Sequence, residues 1–193
     1  MDAGRLVAAL TIMVLLHAEA LPQSMPVPIE VQYPLLMKVL SADRNFSARS
    51  GSEIVIGVLY QENVRESSRA AQALRDWARQ NPSTPVSGST VRLVMVPVEA
   101  VSGLELSLER DSVDLCYITP LRAASLDSLL SVTRHVGVAT CTGVPEYVER
   151  GVAIGIGVKA DHPQILVNMA SARVEKIDLG SQVLQLARVY DKD

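Results

Sequence analysis

The chain has 193 residues and a formal net charge of −3, with acidic and basic residues interspersed along its length. It therefore offers no basic face for phosphate groups, which argues against nucleic-acid binding. Hydrophobic residues make up 48% of the sequence and aromatic residues 4%, so we expect a core of Val, Leu, Ile and Ala and few stacking surfaces for sugars or single strands.

Residues 1–20 have the pattern of a secretory signal peptide. Arg5 precedes the apolar run 6–16, and Ala18 and Ala20 fit a small-x-small cleavage site. The run of about eleven residues is shorter than the ~20 needed to span a bilayer, which disfavours the alternative of a membrane anchor. We therefore expect an exported protein whose mature chain begins at Leu21.

Residues 21–28 contain three prolines and no hydrophobic periodicity, which predicts an extended lead-in. Residues 29–193 then have a length that suits one compact domain. A short helix is expected early in this domain, with Pro34 in its first turn.

Apolar, β-branched runs recur along the chain and alternate with segments of helical periodicity. The runs are 53–60, 91–98, 113–119 and 135–140. Because they are continuous rather than alternating with polar residues, they are typical of strands covered on both faces. A helix is predicted over 64–80, where Asn63 and Glu66 resemble a capping box. The alternation predicts a three-layer α/β fold, a mostly parallel sheet with helices on both faces.

The stretch 143–158 contains four glycines, which raises the alternative of a phosphate-binding loop. Phosphate-binding glycines lie between a strand and a helix N-terminus. Here Gly155 and Gly157 alternate with apolar residues and no helix follows. The pattern favours a strand that pairs with 165–168, in which the glycines leave room for a close neighbour.

Two short helices are predicted near the C-terminus. Asn168 is expected to cap the first and Ser181 the second. The second helix is predicted to continue through Tyr190, with Leu184 and Ala187 also packing on the sheet.

The sequence shows no catalytic constellation. His135 and His162, the histidines that remain after signal cleavage, lack metal-ligand spacing, and no nucleophile-elbow motif is present. Cys116 lies among apolar residues, which is typical of an inert thiol. Glu146 and Glu149 fit a solvated helix face. We expect no catalytic residue, no metal site and no cofactor.

Cys116 and Cys141 both lie in the exported part of the chain, where a disulfide could persist. If their strands are parallel neighbours, residues near Val138 would lie opposite Cys116, and a Cα separation beyond ~7 Å cannot be bridged. A disulfide and two buried thiols both stay open.

Folds of this class bind ligands at the carboxyl ends of their strands. The residues predicted there are Gln61, Glu62, Thr119, Thr140 and Thr142. Their amide, carboxylate and hydroxyl groups suit a small polar ligand, although ordinary loops use the same residue types.

Two segments resemble those of a known family. In the corner 143–158, a proline, an aromatic residue and a glycine precede an apolar strand, matched by Gly143, Pro145, Tyr147 and Gly151. The closing segment matches at Asn168, Ser181, Leu184, Leu186, Ala187 and Arg188. With these motifs, the chain resembles the YfiR family of periplasmic regulators across nearly all of its mature length.

The resemblance implies a periplasmic α/β domain without enzymatic activity. Well-known members bind the periplasmic region of an inner-membrane diguanylate cyclase and hold it inactive, which keeps cyclic di-GMP and biofilm formation low; related domains are fused to sensor kinases. The implied partners are a diguanylate cyclase or sensor kinase, an outer-membrane protein and a second copy in a homodimer. Well-known members carry more than two cysteines, so redox sensing through two disulfides does not transfer.

Regulation by contact requires an exposed surface with charged or apolar anchors. The candidate is the polar cluster Lys38, Asp43, Arg44 and Asn45 after the first helix. The alternative is a capped helix end with local salt bridges. For the whole protein, the alternative to a contact regulator is a small-molecule sensor that uses the strand-end loops.

Overall fold

The computed structural model describes residues 24–46, 51–82 and 88–191. The signal peptide predicted for residues 1–20 lies outside these ranges. The strands are β1 Glu53–Tyr60, β2 Thr90–Pro97, β3 Leu115–Ile118, β4 Ala139–Thr142, β5 Ile154–Lys159, β6 His162–Asn168 and β7 Arg188–Tyr190. The helices are α1 Ile29–Ser41, α2 Arg65–Gln80, α3 Leu104–Arg110, α4 Ala123–His135, α5 Pro145–Glu149, α6 Met169–Val174 and α7 Ser181–Leu186.

The strands form one sheet in the order β2-β1-β3-β4-β5-β6-β7. Only the β5–β6 pair is antiparallel in the described part of the chain. One face packs against α1 and α2 through residues such as Leu36 and Leu74, and the other packs against α3, α4 and α5 through residues such as Leu108 and Leu129. The predicted three-layer, mostly parallel α/β fold is confirmed.

The central strands are continuous apolar runs because both of their faces are covered. In β1, residues 54–59 are all buried, and β3 is buried throughout. Alternate residues of each strand contribute to one or the other of two hydrophobic clusters. Burial of a Leu, Ile or Val side chain contributes about 1.5–3 kcal/mol, so this double coverage holds the parallel sheet together.

The predicted features of the glycine-rich stretch are confirmed. Its apolar part is β5, which pairs antiparallel with β6. A Cβ atom on Gly155 would overlap Val148 of α5, and one on Gly157 would lie 3.0 Å from Leu166 Cδ1. The glycines therefore allow a helix and a neighbouring strand to approach β5 closely.

Several predicted boundaries were wrong. Helix α1 begins at Ile29, so Pro34 lies inside it; burial of Tyr33 and Leu36 outweighs the backbone hydrogen bond that proline removes. Val64, not Asn63, is the N-cap of α2, since the amide of Asn63 donates to Glu99 instead (3.1 Å).

Two strand predictions also need correction. Helix α4 extends to His135, so β4 begins only at Ala139. The final helix ends at Leu186, and Arg188–Tyr190 forms β7, because this segment pairs with the otherwise open edge of β6.

Of the two predicted helix caps near the C-terminus, one is wrong: Gly180, not Ser181, is the N-cap of α7. By contrast, the Asn168 cap is confirmed: its side chain accepts a hydrogen bond from the N–H of Ser171 at 3.0 Å.

The disulfide alternative is wrong, because Cys116 and Cys141 are free, buried thiols. The register places Thr140, not Val138, opposite Cys116, and Tyr117 opposite Cys141. This offset of one residue directs the two thiols to opposite faces of the sheet and into different clusters. Burial, reinforced by the nearby Glu175 carboxylate, raises the pKa of both thiols well above the usual range. They therefore remain protonated and unreactive.

The close approach at Gly155 yields a stability prediction. We expect Gly155→Ala to lower the free energy of unfolding by about 1–3 kcal/mol, since the added methyl group must displace Val148 in a packed core. The measurement is urea denaturation followed by circular dichroism. The control is Gly157→Ala, whose methyl group would lie 3.0 Å from Leu166 Cδ1 and 3.4 Å from Pro145 Cγ and so needs a smaller displacement. Equal losses for the two variants would contradict this account.

Candidate functional site

The end of α1 is joined to a segment far along the chain. Asp43 is buried, and its Oδ1 accepts hydrogen bonds from the backbone N–H groups of Asn45 (3.0 Å) and Asp178 (2.9 Å). Asp43 also forms a β-bridge with Leu179. We refer to residues 43–45 together with 176–179 as the clamp.

The other polar residues of the predicted cluster have different surroundings. Arg44 forms an exposed ion pair with Asp178 (3.4 Å), and the Asn45 amide donates to the carbonyl of Lys176 (3.0 Å). Lys38 lies exposed near the end of α1, where its carbonyl accepts a hydrogen bond from Ser41. The clamp contacts span 131 to 135 positions of sequence, so they are long-range rather than the local salt bridges of a capped helix end.

An apolar pocket of about 160 Å³ adjoins the clamp. It is formed by β6, α6, α7 and residues of the clamp, and its apolar lining consists of Val167, Met169, Ala172, Ile177, Leu179 and Leu184. Arg173 and Asp178 add charged groups to the lining. The same two helices expose Val174 (61%) and Leu186 (74%) to solvent. The clamp and this pocket together form an apolar surface bordered by charge, which we call the clamp surface.

Most of the residues predicted to bind a ligand at the strand ends form hydrogen bonds within the protein instead. Gln61 is buried, and its Oε1 accepts a hydrogen bond from the N–H of Arg122 (2.9 Å). Thr119 Oγ1 lies 2.6 Å from Ser67 Oγ and donates to the carbonyl of Leu59. Glu62 is exposed and accepts a long hydrogen bond from Tyr60 (3.4 Å).

The two threonines of β4 are also fully buried. Thr142 Oγ1 donates to the carbonyl of Ile118 (2.7 Å) and accepts from the N–H of Val144 (3.1 Å). Thr140 donates through both its N–H (2.7 Å) and its hydroxyl (2.9 Å) to the buried carboxylate of Glu175. The structure therefore brings Gln61 and Thr119 near Ser67 but places Thr140 in a separate buried network.

The start of the described chain lies across the carboxyl end of the sheet. Val27 is buried, and its carbonyl accepts a hydrogen bond from the side chain of Gln32. The Oε1 of Gln32 accepts a hydrogen bond from the Tyr117 hydroxyl (2.8 Å), and a Cβ on Gly143 would overlap this side chain. The ends of β3 and β4, where folds of this class bind ligands, are thus packed with the protein's own side chains.

A more polar pocket, of about 320 Å³, lies beside α5. Its lining includes Glu146 and Glu149 of α5 and Arg188 and Tyr190 of β7. The Arg188 guanidinium lies over the Tyr190 ring, 4.8 Å from its centre. Partial burial, and then a hydrogen bond to Glu149, raise the pKa of Tyr190.

In residues 24–46, 51–82 and 88–191, no three His, Cys, Asp or Glu side chains cluster closely enough to hold a metal ion. None of the helices in these ranges has the length and hydrophobicity needed to cross a membrane.

The pocket residues all lie within 167–184. The sequence interpretation missed them because no local pattern shows that β6, α6 and α7 surround a common cavity. A usable signal was present, however. Val174 and Leu186 are large apolar residues in the short predicted helices, at positions that do not face the sheet. Exposed apolar side chains next to a pocket mark interaction surfaces more often than isolated ones do.

Several solved structures have a fold similar to that of this chain. An ABC domain in complex with L-Trp from Streptococcus pneumoniae has a TM-score of 0.60 at 16% identity, over 84% of this chain and 61% of that one. A conserved domain protein from Vibrio cholerae has a TM-score of 0.59 at 14% identity, over 84% of this chain and 60% of that one. An open, ligand-free substrate-binding protein with adhesive properties from Clostridium difficile has a TM-score of 0.52 at 15% identity, over 77% of this chain and 58% of that one.

This chain spans about 60% of the length of those structures, and the likeness defines its fold class. A comparison with curated proteins gave no match. The model of the YfiR/HmsC-like family matches residues 46–188, so the chain belongs to the YfiR/HmsC-like family. Membership indicates a periplasmic regulator.

The clamp yields a prediction about stability. We expect Asp43→Ala to lower the free energy of unfolding by about 1–3 kcal/mol, because two backbone N–H groups lose their acceptor. Asp43→Asn keeps an acceptor oxygen and should cost less. Arg44→Ala removes only an exposed ion pair, worth about 0–1 kcal/mol. Urea denaturation measures the free energy of unfolding of the three variants. A loss for Arg44→Ala as large as that for Asp43→Ala would contradict this account.

Proposed function

We propose that the protein is an exported periplasmic regulator that binds the periplasmic region of an inner-membrane signalling protein, a diguanylate cyclase or a sensor kinase, and represses it. In this proposal residues 1–20 are a cleaved signal peptide and residues 29–193 are one regulatory domain. Membership of the YfiR/HmsC-like family supports contact with a membrane signalling partner. The regulated output is intracellular cyclic di-GMP and, through it, biofilm formation.

The observation that carries the proposal is the clamp surface. Binding energy in protein interfaces concentrates in a few apolar or aromatic anchors that enter pockets and are surrounded by polar groups. The pocket between α6 and α7 has an apolar lining and a volume of about 160 Å³, which suits one large apolar side chain. Leu186, on the helix whose Leu184 lines this pocket, is the most exposed large hydrophobic residue in the described ranges. This surface therefore fits a partner segment that presents an apolar anchor.

The charges at the clamp surface suit a partner with polar flanks. Arg44 and Asp178 form an ion pair in which both side chains remain exposed, and Arg173 pairs with Asp191 at 3.4 Å. Exposed pairs of this kind contribute little to stability, so their groups can exchange partners on binding. Lys38 lies exposed near the end of α1, the helix that precedes Asp43, and adds a further positive charge. Charges at an interface rim mainly set association rate and orientation.

The test uses matched leucine substitutions in the native host. Leu186→Lys should reduce in-cell crosslinking of the tagged protein to its membrane partner by about tenfold or more, because a charge replaces an apolar contact worth about 1.5–3 kcal/mol. Captured proteins are identified by mass spectrometry, and cyclic di-GMP should rise if the partner is a repressed cyclase. The control is Leu106→Lys, since Leu106 is equally exposed (71%) but lies on α3.

If crosslinking of the wild-type protein captures no protein other than itself, the regulator proposal is wrong. If a folded Leu186→Lys variant crosslinks to the partner as strongly as the wild type does, the clamp surface is not the binding site. Capture of an outer-membrane protein, lost in the same variant, would identify the second kind of partner expected for this family.

A second candidate function is small-molecule sensing, and the polar pocket beside α5 favours it. Glu146 and Glu149 can bind an ammonium group, and Arg188 can bind a carboxylate, so the pocket suits an amino acid. One structurally similar protein is an ABC domain bound to L-Trp, and another is a substrate-binding protein. The strand-end residues Gln61, Glu62, Thr119, Thr140 and Thr142 form the other candidate ligand site, although four of the five are buried.

A thermal-shift screen of amino acids tests this candidate. A ligand at a hundredfold excess over its dissociation constant stabilises the native state by about 2.7 kcal/mol, which raises the melting temperature by several degrees. The shift should disappear in Arg188→Ala, which removes the carboxylate-binding group. Absence of a shift across the screen, or an equal shift in the variant, would rule out this pocket as an amino-acid site.

A further inference from the structure

A groove of about 440 Å³ lies between β2 and α2, and it shares no lining residue with the two pockets described above. Its floor consists of the half-buried side chains of Val91, Leu93 and Met95. These are alternate residues of β2, so their side chains point to the same face of the sheet. Ala78 and Pro82 complete the apolar lining. The groove therefore offers an apolar strip along the strand, in the size range of small-molecule sites.

Two arginines of α2, Arg75 and Arg79, line the same groove. They are four residues apart, so their side chains are neighbours on one side of the helix, and like charges at this spacing are destabilising. Of the residues that the structure describes, no aspartate or glutamate lines this groove. Asp76 Oδ1 lies 4.0 Å from Arg75 Nε, with the two side chains 58% and 42% exposed, and such a pair contributes little. The α2 side of the groove therefore carries positive charge that suits an anion.

The Nε atom of Arg75 shows which kind of group this side of the groove suits. It is buried and has no hydrogen-bond partner, and the 4.0 Å to Asp76 is too long for a hydrogen bond. Buried donors without an acceptor are rare in folded proteins, and each one requires an explanation. A guanidinium forms its strongest hydrogen bonds with carboxylate and phosphate oxygens. Beside an apolar floor, the arrangement suits a carboxylate that carries a hydrocarbon chain.

We propose that this groove binds a medium-chain alkyl carboxylate, the class of ligand that octanoate represents. The carboxylate accepts a hydrogen bond from Arg75 Nε and lies between the guanidinium groups of Arg75 and Arg79. The alkyl chain extends along β2, over Val91, Leu93 and Met95. A purely apolar ligand leaves the buried Nε without an acceptor, and a small anion leaves the apolar floor uncovered. The site is independent of the clamp surface and of the proposed regulatory function.

Isothermal titration calorimetry of the purified exported protein with sodium octanoate tests the site. We expect one octanoate to bind per chain. The probes 1-octanol, octylammonium and sodium acetate should each bind about tenfold more weakly or less, because they lack the charge, carry the opposite charge or lack the chain. Absence of octanoate binding at millimolar concentration would overturn the proposal. Binding of any of the three other probes as tight as that of octanoate would overturn it as well.

Glutamine substitutions on α2 test the position of the carboxylate. Arg75→Gln should weaken octanoate binding by about tenfold or more, and Arg79→Gln by several-fold, since each removes a charged donor. The control is Arg69→Gln, because Arg69 is an exposed arginine of the same helix that does not line the groove. Wild-type affinity in the folded Arg75→Gln variant, or an equal loss in the control, would contradict the assignment. If Arg75→Gln does not fold, Arg79→Gln decides, because Arg79 is exposed.

Discussion

The structure depends on the packing of α5 into the corner between β4 and β5. Val148 fits against Gly155, and the Tyr147 hydroxyl both accepts from the N–H of Leu121 (2.7 Å) and donates to its carbonyl (2.9 Å). The Asn168 amide donates to the carbonyl of Val148 (2.8 Å), while its oxygen caps α6. One asparagine thus fixes α6 relative to α5. Residues 176–179 of the clamp follow α6 directly, so the packing at this corner determines where the clamp surface lies.

A buried carboxylate extends this arrangement to the middle of the sheet. Glu175 follows α6 and accepts hydrogen bonds from the N–H and hydroxyl of Thr140, whose oxygen also accepts from the N–H of Ala153 (3.1 Å). The β4–β5 ladder extends over only two residue pairs, and this network continues the connection beyond the ladder. A buried carboxylate is costly unless donors surround it. Loss of those donors would therefore disturb both the strand pair and the segment that leads into the clamp.

The sequence predicted the elements whose signals are local. Continuous apolar runs indicated β1 and β3, and the Asn168 cap follows from a side chain that bonds three residues ahead. It did not predict β7, because a three-residue strand with helical-looking neighbours is defined only by its pairing with β6. The fate of the cysteines likewise depended on register, since a shift of one residue exchanges the faces of a strand.

The candidate site was the least predictable feature for the same reason. Asp43 and Asn45 resemble an ordinary helix end in sequence, and nothing local shows that their acceptor and donor groups serve a segment more than 130 residues away. The fold class also pointed to the strand ends as the ligand site, but in this chain Gln32 and residues near Val27 occupy that region. Long-range contacts, rather than motifs, decide which surfaces remain open.

The open surfaces lie at opposite ends of the sheet, and this separation has a functional consequence. Strand β2 is the first strand in the order, whereas the clamp surface includes β6, five positions further along. At about 4.8 Å per strand the two regions are separated by roughly 24 Å or more. A partner bound at the clamp surface therefore does not cover β2. Substitutions on β2 should leave the contacts of the clamp surface unchanged, because effects at such distant sites add independently.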